Sequence, residues 1–298
     1  MTTTDVLVES VHFSEQTTPP YSVGWRAVAV NLSDLAAMGA EPLAVTVALG
    51  LPGYTPLDWV EELYRGMSDC LKKYGGEIVG GDLCRSNSRM VSVTALGDVQ
   101  PTQMIRRNAA MPEMTVVVTG AHGASRAGLA ILLDELAADD KESTPFAATW
   151  IAAHQRPIPR FDAIAALREI IQDQIEPTVT RAYPVIAGMD SSDGLANALL
   201  QLSSSSGVGM NIMRSQIPLA VGLSDTVGFE AALDWALYGG EDFELVLCLP
   251  PALADVFTKT PFGIAIGTTT GNSGIVNLYP TLAKEKGILL THQEFQHF

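Results

Sequence analysis

Strand-like and helix-like segments alternate along the whole chain, and this alternation limits the fold more than any other feature. Residues 5–9 lie in a β-rich run, DVLVES. Residues 25–38 carry helical spacing that Gly39 is placed to end, and 43–51 read as a strand. Pro56 suits the first turn of a helix reaching about residue 74, and 78–79 and 90–96 read as strands. A second series begins after Pro112. It comprises a strand at 115–119, a glycine-rich turn and helix from Gly120, a helix at 160–171 and a strand at 185–190. A helix at 194–206, a strand at 243–249, a helix from Pro251 and a strand at 262–267 complete it. The expected class is α/β (α+β) in two domains, 1–111 and 112–298, and 47% hydrophobic residues provide for a real core.

Eighteen Lys and Arg residues against 33 Asp and Glu leave a net charge of −15. That field repels nucleic-acid backbones and gathers cations, so nucleic acid is not an expected partner. Cys70, Cys84 and Cys248 form no CxxC or zinc spacing and read as small buried residues in a reducing compartment. No leader pattern is seen, and the run 43–51 is shorter than the roughly 20 residues that span a bilayer. A soluble cytoplasmic protein with no membrane partner is expected. There is no GxxxxGK[ST] loop, kinase HRD or DFG set, GxSxG elbow or HExxH helix. The turn Gly120-Ala121-His122-Gly123 reads equally as a phosphate cradle or as a tight structural turn.

The carboxylates are more informative. Asp5 follows Thr3-Thr4, Asp34 sits in the apolar run NLSDLAAMG, and Asp82 follows Gly80-Gly81. Asp190 and Asp193 bracket DSSDG, and Glu241-Asp242 follows Gly239-Gly240. Strand ends and apolar helices are poor places for an unpaired carboxylate. Each alone could be a cap or turn residue, Asp193 as an N-cap above all. Together they favour shared divalent metal, a hard-oxygen site with room for phosphate. All six lysines lie outside these blocks, so metal, helped by an arginine such as Arg107, would neutralise phosphate.

The blocks TTDVLVESVHF (3–13), NLSDLAAMGAEP (31–42), VGGDLCRS (79–86), VTGAHGASRAGL (118–129), RPIPR (156–160), DSSDGL (190–195), SGVG (206–209), YGGEDFEL (238–245) and FQHF (295–298) resemble thiamine-monophosphate kinases. That family belongs to the superfamily of aminoimidazole ribonucleotide synthetase and selenophosphate synthetase. The resemblance implies an N-terminal domain that dimerises through its sheet, a C-terminal α/β domain over the cleft, and a homodimer. It implies ATP-dependent phosphorylation of thiamine monophosphate by direct transfer, with several Mg²⁺ ions. Thr3, Thr4, Asp5, Asp34, Asp82, Asp190 and Asp193 would hold Mg²⁺. Gly81, Asp82, Arg107 and Ser192 would contact ATP, and His12, Glu241 and Phe295 the thiamine phosphate. His12 and Phe295 could instead be packing residues. A non-catalytic binding protein or another ATP-using synthetase are the alternatives. The family pattern departs at Pro112, followed here by Glu113-Met114. It also has a Gly-Asp-Asp-Ala segment upstream of the first block, so a chain starting at Met1 is expected to be short of ligands and less active.

Overall fold

The computed structural model describes residues 1–136, 144–174, 183–280 and 287–291. β1 (Thr2–Val8), α1 (Pro20–Ala37), β2 (Glu41–Leu51), α2 (Leu57–Tyr74), β3 (Glu77–Arg85) and β4 (Met90–Asp98) build the first half. Its four strands run in the order β1-β4-β2-β3; only the β2–β3 pair is parallel. Helix α2 has Pro56 at its N-cap, Asp58 in its first turn, Lys72 and Lys73 in its last, and Gly75 after it at φ 103°. Each choice complements the helix dipole or the chain reversal. α1 and α2 cross closely at Gly24 and Gly66. A Cβ at either would collide with a backbone carbonyl of the other helix, of Leu63 or Tyr21 respectively.

Both helices pack on one face of the sheet. Val23, Leu32 and Leu35 of α1 and Leu63 and Met67 of α2 meet Val45, Val47 and Leu49 of β2 and Val91, Val93 and Ala95 of β4. The other face is uncovered. Along β4 buried and exposed residues alternate, leaving Met90 38% and Leu96 40% exposed. Val6, Leu43 and Val79 are exposed as well.

The second half comprises β5 (Thr115–Val118), α3 (Ala124–Leu132), α4 (Thr144–Gln155), α5 (Phe161–Gln174), β6 (Ala187–Asp190) and α6 (Leu195–Ser206). It continues through β7 (Gly209–Met213), α7 (Leu223–Val227), α8 (Phe229–Tyr238), β8 (Leu245–Leu249), α9 (Pro251–Phe257), β9 (Ile264–Thr270), β10 (Val276–Tyr279) and β11 (Ile288–Leu289). A seven-stranded sheet in the order β11-β10-β7-β9-β5-β8-β6 carries the core of Val116, Val118, Leu195, Leu199, Met210, Val246 and Ile266. The mixed α/β class is as expected. α1 starts earlier than its spacing suggested, since Pro20 can open a helix whose first N–H needs no partner. Sequence reading did not find α4, α7, α8, β7, β10 or β11. Among the described residues no helix is long and apolar enough to cross a membrane.

What matters for function is how the halves meet. α1 lies between its own sheet and β6. Buried Ser33 donates to Asp190 Oδ2 across that junction at 2.7 Å.

Candidate active site

Two cavities of about 230 Å³ each open along this junction, and they share Asp34 and Asp190. The first is also lined by Asp5, His12, Arg26, Val30, Ser192, Asp193, Glu241 and Phe243. The second is lined by Thr3, Leu35, Met38, Arg107, Gly188 and Met189, among others. On α1 the residues Arg26, Val30 and Asp34 are four apart and share a face. At 1.5 Å rise per residue the ends of this ladder are about 12 Å apart. Asp5 comes from β1, whose inward residues alternate with outward ones, and Asp190 is the last residue of β6.

The carboxylates crowd one another. Burial, then the charges of Asp34 and Asp193, push Asp5 up to about 6. Burial, then Asp34, pushes Asp190 up to about 7, although hydroxyls of Ser33 and Ser192 donate to it. Asp34 is raised by burial and drawn back by the Thr3 hydroxyl, which donates to it, and by the Arg107 charge. Asp193 is not the cap of α6: Gly194 holds that position, and Asp193 accepts instead from Asn197 at 3.1 Å. Its carboxylate lines the first cavity.

The donors here are all hard oxygens, which suit Mg²⁺. Among the described residues no three His, Cys, Asp or Glu side chains stand close enough to hold an ion by themselves. Mg²⁺ does not require that. It keeps waters and takes one or two carboxylates together with substrate phosphates.

At the other end of the ladder Arg26 donates through Nη2 to Glu241 in a buried ion pair. Burial lowers the Arg26 guanidinium to about 10. Glu241 sits at φ 59° and Phe243 at φ 54°, so the loop between α8 and β8 is left-handed at two non-glycine residues. Such backbone persists only where surroundings over-determine it, commonly at functional sites. Here the Glu241 N–H donates to the Ser192 carbonyl at 2.7 Å. Asp242 accepts from the Gly123 and Ser125 N–H groups at 2.7 and 3.0 Å. The chain's own carboxylate therefore occupies the start of α3, and the turn Gly120–Gly123 is structural rather than a phosphate cradle. His12, in the turn after β1, accepts the Val8 N–H on Nδ1 at 3.1 Å, which leaves the proton of the neutral ring on Nε2.

The structure thus brings together Thr3, Asp5, His12, Asp34, Arg107, Asp190, Ser192, Asp193 and Glu241. It does not bring in the Thr4 side chain, which pairs with Thr94 on the open face of the sheet at 2.8 Å. Nor does it bring in Gly81 and Asp82. They lie on β3, at the opposite edge from β1, three strand spacings or about 14 Å away. By register Asp82 lines up with Ala48, Ser92 and Val6 across the sheet. Phe295 lies outside the described residues. Sequence reading missed Arg26, Ser33 and His154, and it grouped Asp242 with the metal-binding carboxylates although its side chain instead caps the start of α3. Arg26 gave the same signal as Asp34, a charge inside an apolar helix. His154, on α4, places Nδ1 3.4 Å from Glu241 Oε2.

A two-sheet α/β fold with an acidic cleft between its halves defines a class. Residues 1–99 match the family model described as AIR synthase related protein, N-terminal domain. The chain is 43% identical over 298 residues to the thiamine-monophosphate kinase of Synechococcus elongatus, covering 99% of this chain and 85% of that protein. The solved structure of AaThiL complexed with AMPPCP and TMP superposes with a TM-score of 0.80 at 31% identity, covering 97% of this chain and 86% of that one. The thiamine monophosphate kinase of Aquifex aeolicus gives 0.78 at 31% identity over 95% and 88%. By fold the protein is one of the AIR synthase-related proteins. Within them, the chain belongs to the thiamine-monophosphate kinase family.

Proposed function

We infer that this chain transfers the γ-phosphoryl group of ATP to thiamine monophosphate, giving thiamine diphosphate and ADP. The observation that carries this reading is the pair of cavities meeting on Asp34 and Asp190. Two phosphorylated ligands, one in each, would direct their phosphates at the same carboxylates. The second cavity, with Leu35, Met38, Met189 and Arg107, suits a nucleoside with its phosphates toward Asp34. The first, with His12 and Glu241, suits a cationic acceptor whose own phosphate reaches the acidic end.

The nucleophile is an oxygen of the acceptor's phosphate. Its second pKa is about 6, so it is mostly dianionic at neutral pH and needs no general base. It bonds to the γ-phosphorus as the bond to the β–γ bridging oxygen breaks, and that electron pair leaves on ADP. Bound Mg²⁺ would supply the charge neutralisation that lets two polyanions approach, with Thr3, Asp5, Asp34, Asp190 and Asp193 as its holders. Ser192, which donates to Asp190 Oδ1 at 3.1 Å, keeps that carboxylate aimed between the cavities. Arg107 adds a guanidinium cation to the second cavity's lining. ADP release followed by a coupled assay, with and without thiamine monophosphate, tests the reading. Acceptor-dependent ADP is expected. ADP formed equally without the acceptor, or none at all, would favour a synthetase or a binding protein.

The uncovered sheet face supports a homodimer, since apolar residues such as Leu96 and Val79 would be buried there. A pairing that sets β3 of one copy beside β1 of the other would bring Gly81 and Asp82 to the partner's cavity as further ATP and Mg²⁺ contacts. Leu96→Glu is expected to give a 31.7 kDa monomer in sedimentation with kcat strongly reduced. A fully active monomer would contradict that role for Asp82. The unpaired cysteines support a cytoplasmic location. A boundary at 111–112 falls between β4 and β5, the last strand of one sheet and the first of the other.

A further inference from the structure

Arg26 is 2% exposed, and only its Nη2 is engaged, by Glu241. Its Nε and Nη1 are buried without a hydrogen-bond partner among the described residues. For stability alone this is a poor arrangement. Buried pairs are often matched or bettered by apolar residues of similar volume, and each unsatisfied donor adds a cost. Glu241 is held from several sides. Arg26 of α1 takes Oε1, and His154 of α4 stands 3.4 Å from Oε2. The same His154 Nδ1 lies 3.2 Å from Ser125 Oγ at the start of α3. Burial, with the charges of Arg26 and Arg126, keeps His154 well below its ordinary range and hence neutral. Arg26 is therefore the cation paired with Glu241, and the pair fixes the direction of that carboxylate.

We propose that Arg26 is a positioning residue for acceptor binding, acting through Glu241 rather than by touching substrate. The proposal rests on the reading of the first cavity as the thiamine monophosphate site. The chemistry of that acceptor fits the ladder on α1. Its phosphate belongs at the Asp34 end, and its thiazolium ring carries a fixed positive charge several ångströms away. A lone Glu241 carboxylate in this buried setting would tend to take up a proton and lose its attraction for that ring. With Arg26 beside it the carboxylate stays charged, and its backbone, tied to the Ser192 carbonyl, cannot swing away.

The test is a set of full-length variants: Arg26→Lys, Arg26→Met, Glu241→Gln and the Arg26→Met/Glu241→Gln pair. Wild-type enzyme must first turn over thiamine monophosphate; if it does not, the functional reading fails along with the proposal. With turnover established, Arg26→Met is expected to raise KM for thiamine monophosphate roughly tenfold or more, while KM for ATP stays within about twofold. Arg26→Lys, which keeps the charge, should recover much of the loss and carries the comparison if the Met variant does not fold. The double variant should be no worse than Glu241→Gln alone, because the two residues act as one unit. Equal increases in both KM values, or effects of the two substitutions that simply add, would overturn the proposal.

Discussion

Asp34→Asn is expected to lower kcat by at least about a hundredfold while leaving the fold intact, since several kcal/mol of transition-state charge stabilisation would go with the carboxylate. Asp34 lines both cavities, takes the Thr3 hydroxyl, and faces the charges of Asp193 and Arg107. The amide keeps the size and an oxygen that can still accept from Thr3, so the local geometry survives. What is removed is one negative charge from a group of carboxylates that already oppose one another. The metal-free protein should melt no lower than wild type, and the Mg²⁺ concentration for half-maximal rate should rise. A variant with kcat within about threefold of wild type and an unchanged Mg²⁺ requirement would make Asp34 an ordinary helix residue.

Asp242→Ala should have the largest effect on stability. The partly buried Asp242 carboxylate accepts two N–H groups, from Gly123 and Ser125, at the start of α3. Deleting it strands both donors at about 1–3 kcal/mol each. For a chain of this size the melting temperature should fall by roughly 3–10 °C. The loss should also reach function, because Asp242 sits between Glu241 and Phe243, the two residues held left-handed. Scanning calorimetry and KM for thiamine monophosphate should therefore change together. A change of less than about 2 °C would mean that other groups hold the loop and the α3 terminus.

The acidic half of the site was legible because a carboxylate in an apolar helix or at a strand end needs a reason to be there. Asp5, Asp34, Asp190 and Asp193 stood out in that way, and the structure sets all four around one cavity. Arg26 met the same criterion but was read as part of helical spacing, because its partner Glu241 is far away in sequence. His154 lies on α4, a helix rich in alanine and apolar residues nearly all round, which gives little periodicity to read. Strands such as β10 and β11 are too short to show alternation and exist through their pairing with β7 and with each other. Asp82 was legible as a residue type but not as a position. The pattern GGD says nothing about which edge of the sheet it will occupy.

The central claim is that two phosphates and Mg²⁺ meet at the carboxylates between the two sheets. Crystals grown with Mn²⁺, a non-hydrolysable ATP analogue and thiamine monophosphate would test it, by the anomalous signal of the metal. The account predicts manganese bound among Asp5, Asp34, Asp190 and Asp193, with phosphate oxygens of both ligands in its coordination sphere. Manganese bound elsewhere while both ligands occupy the protein, or phosphates directed away from Asp34 and Asp190, would contradict it.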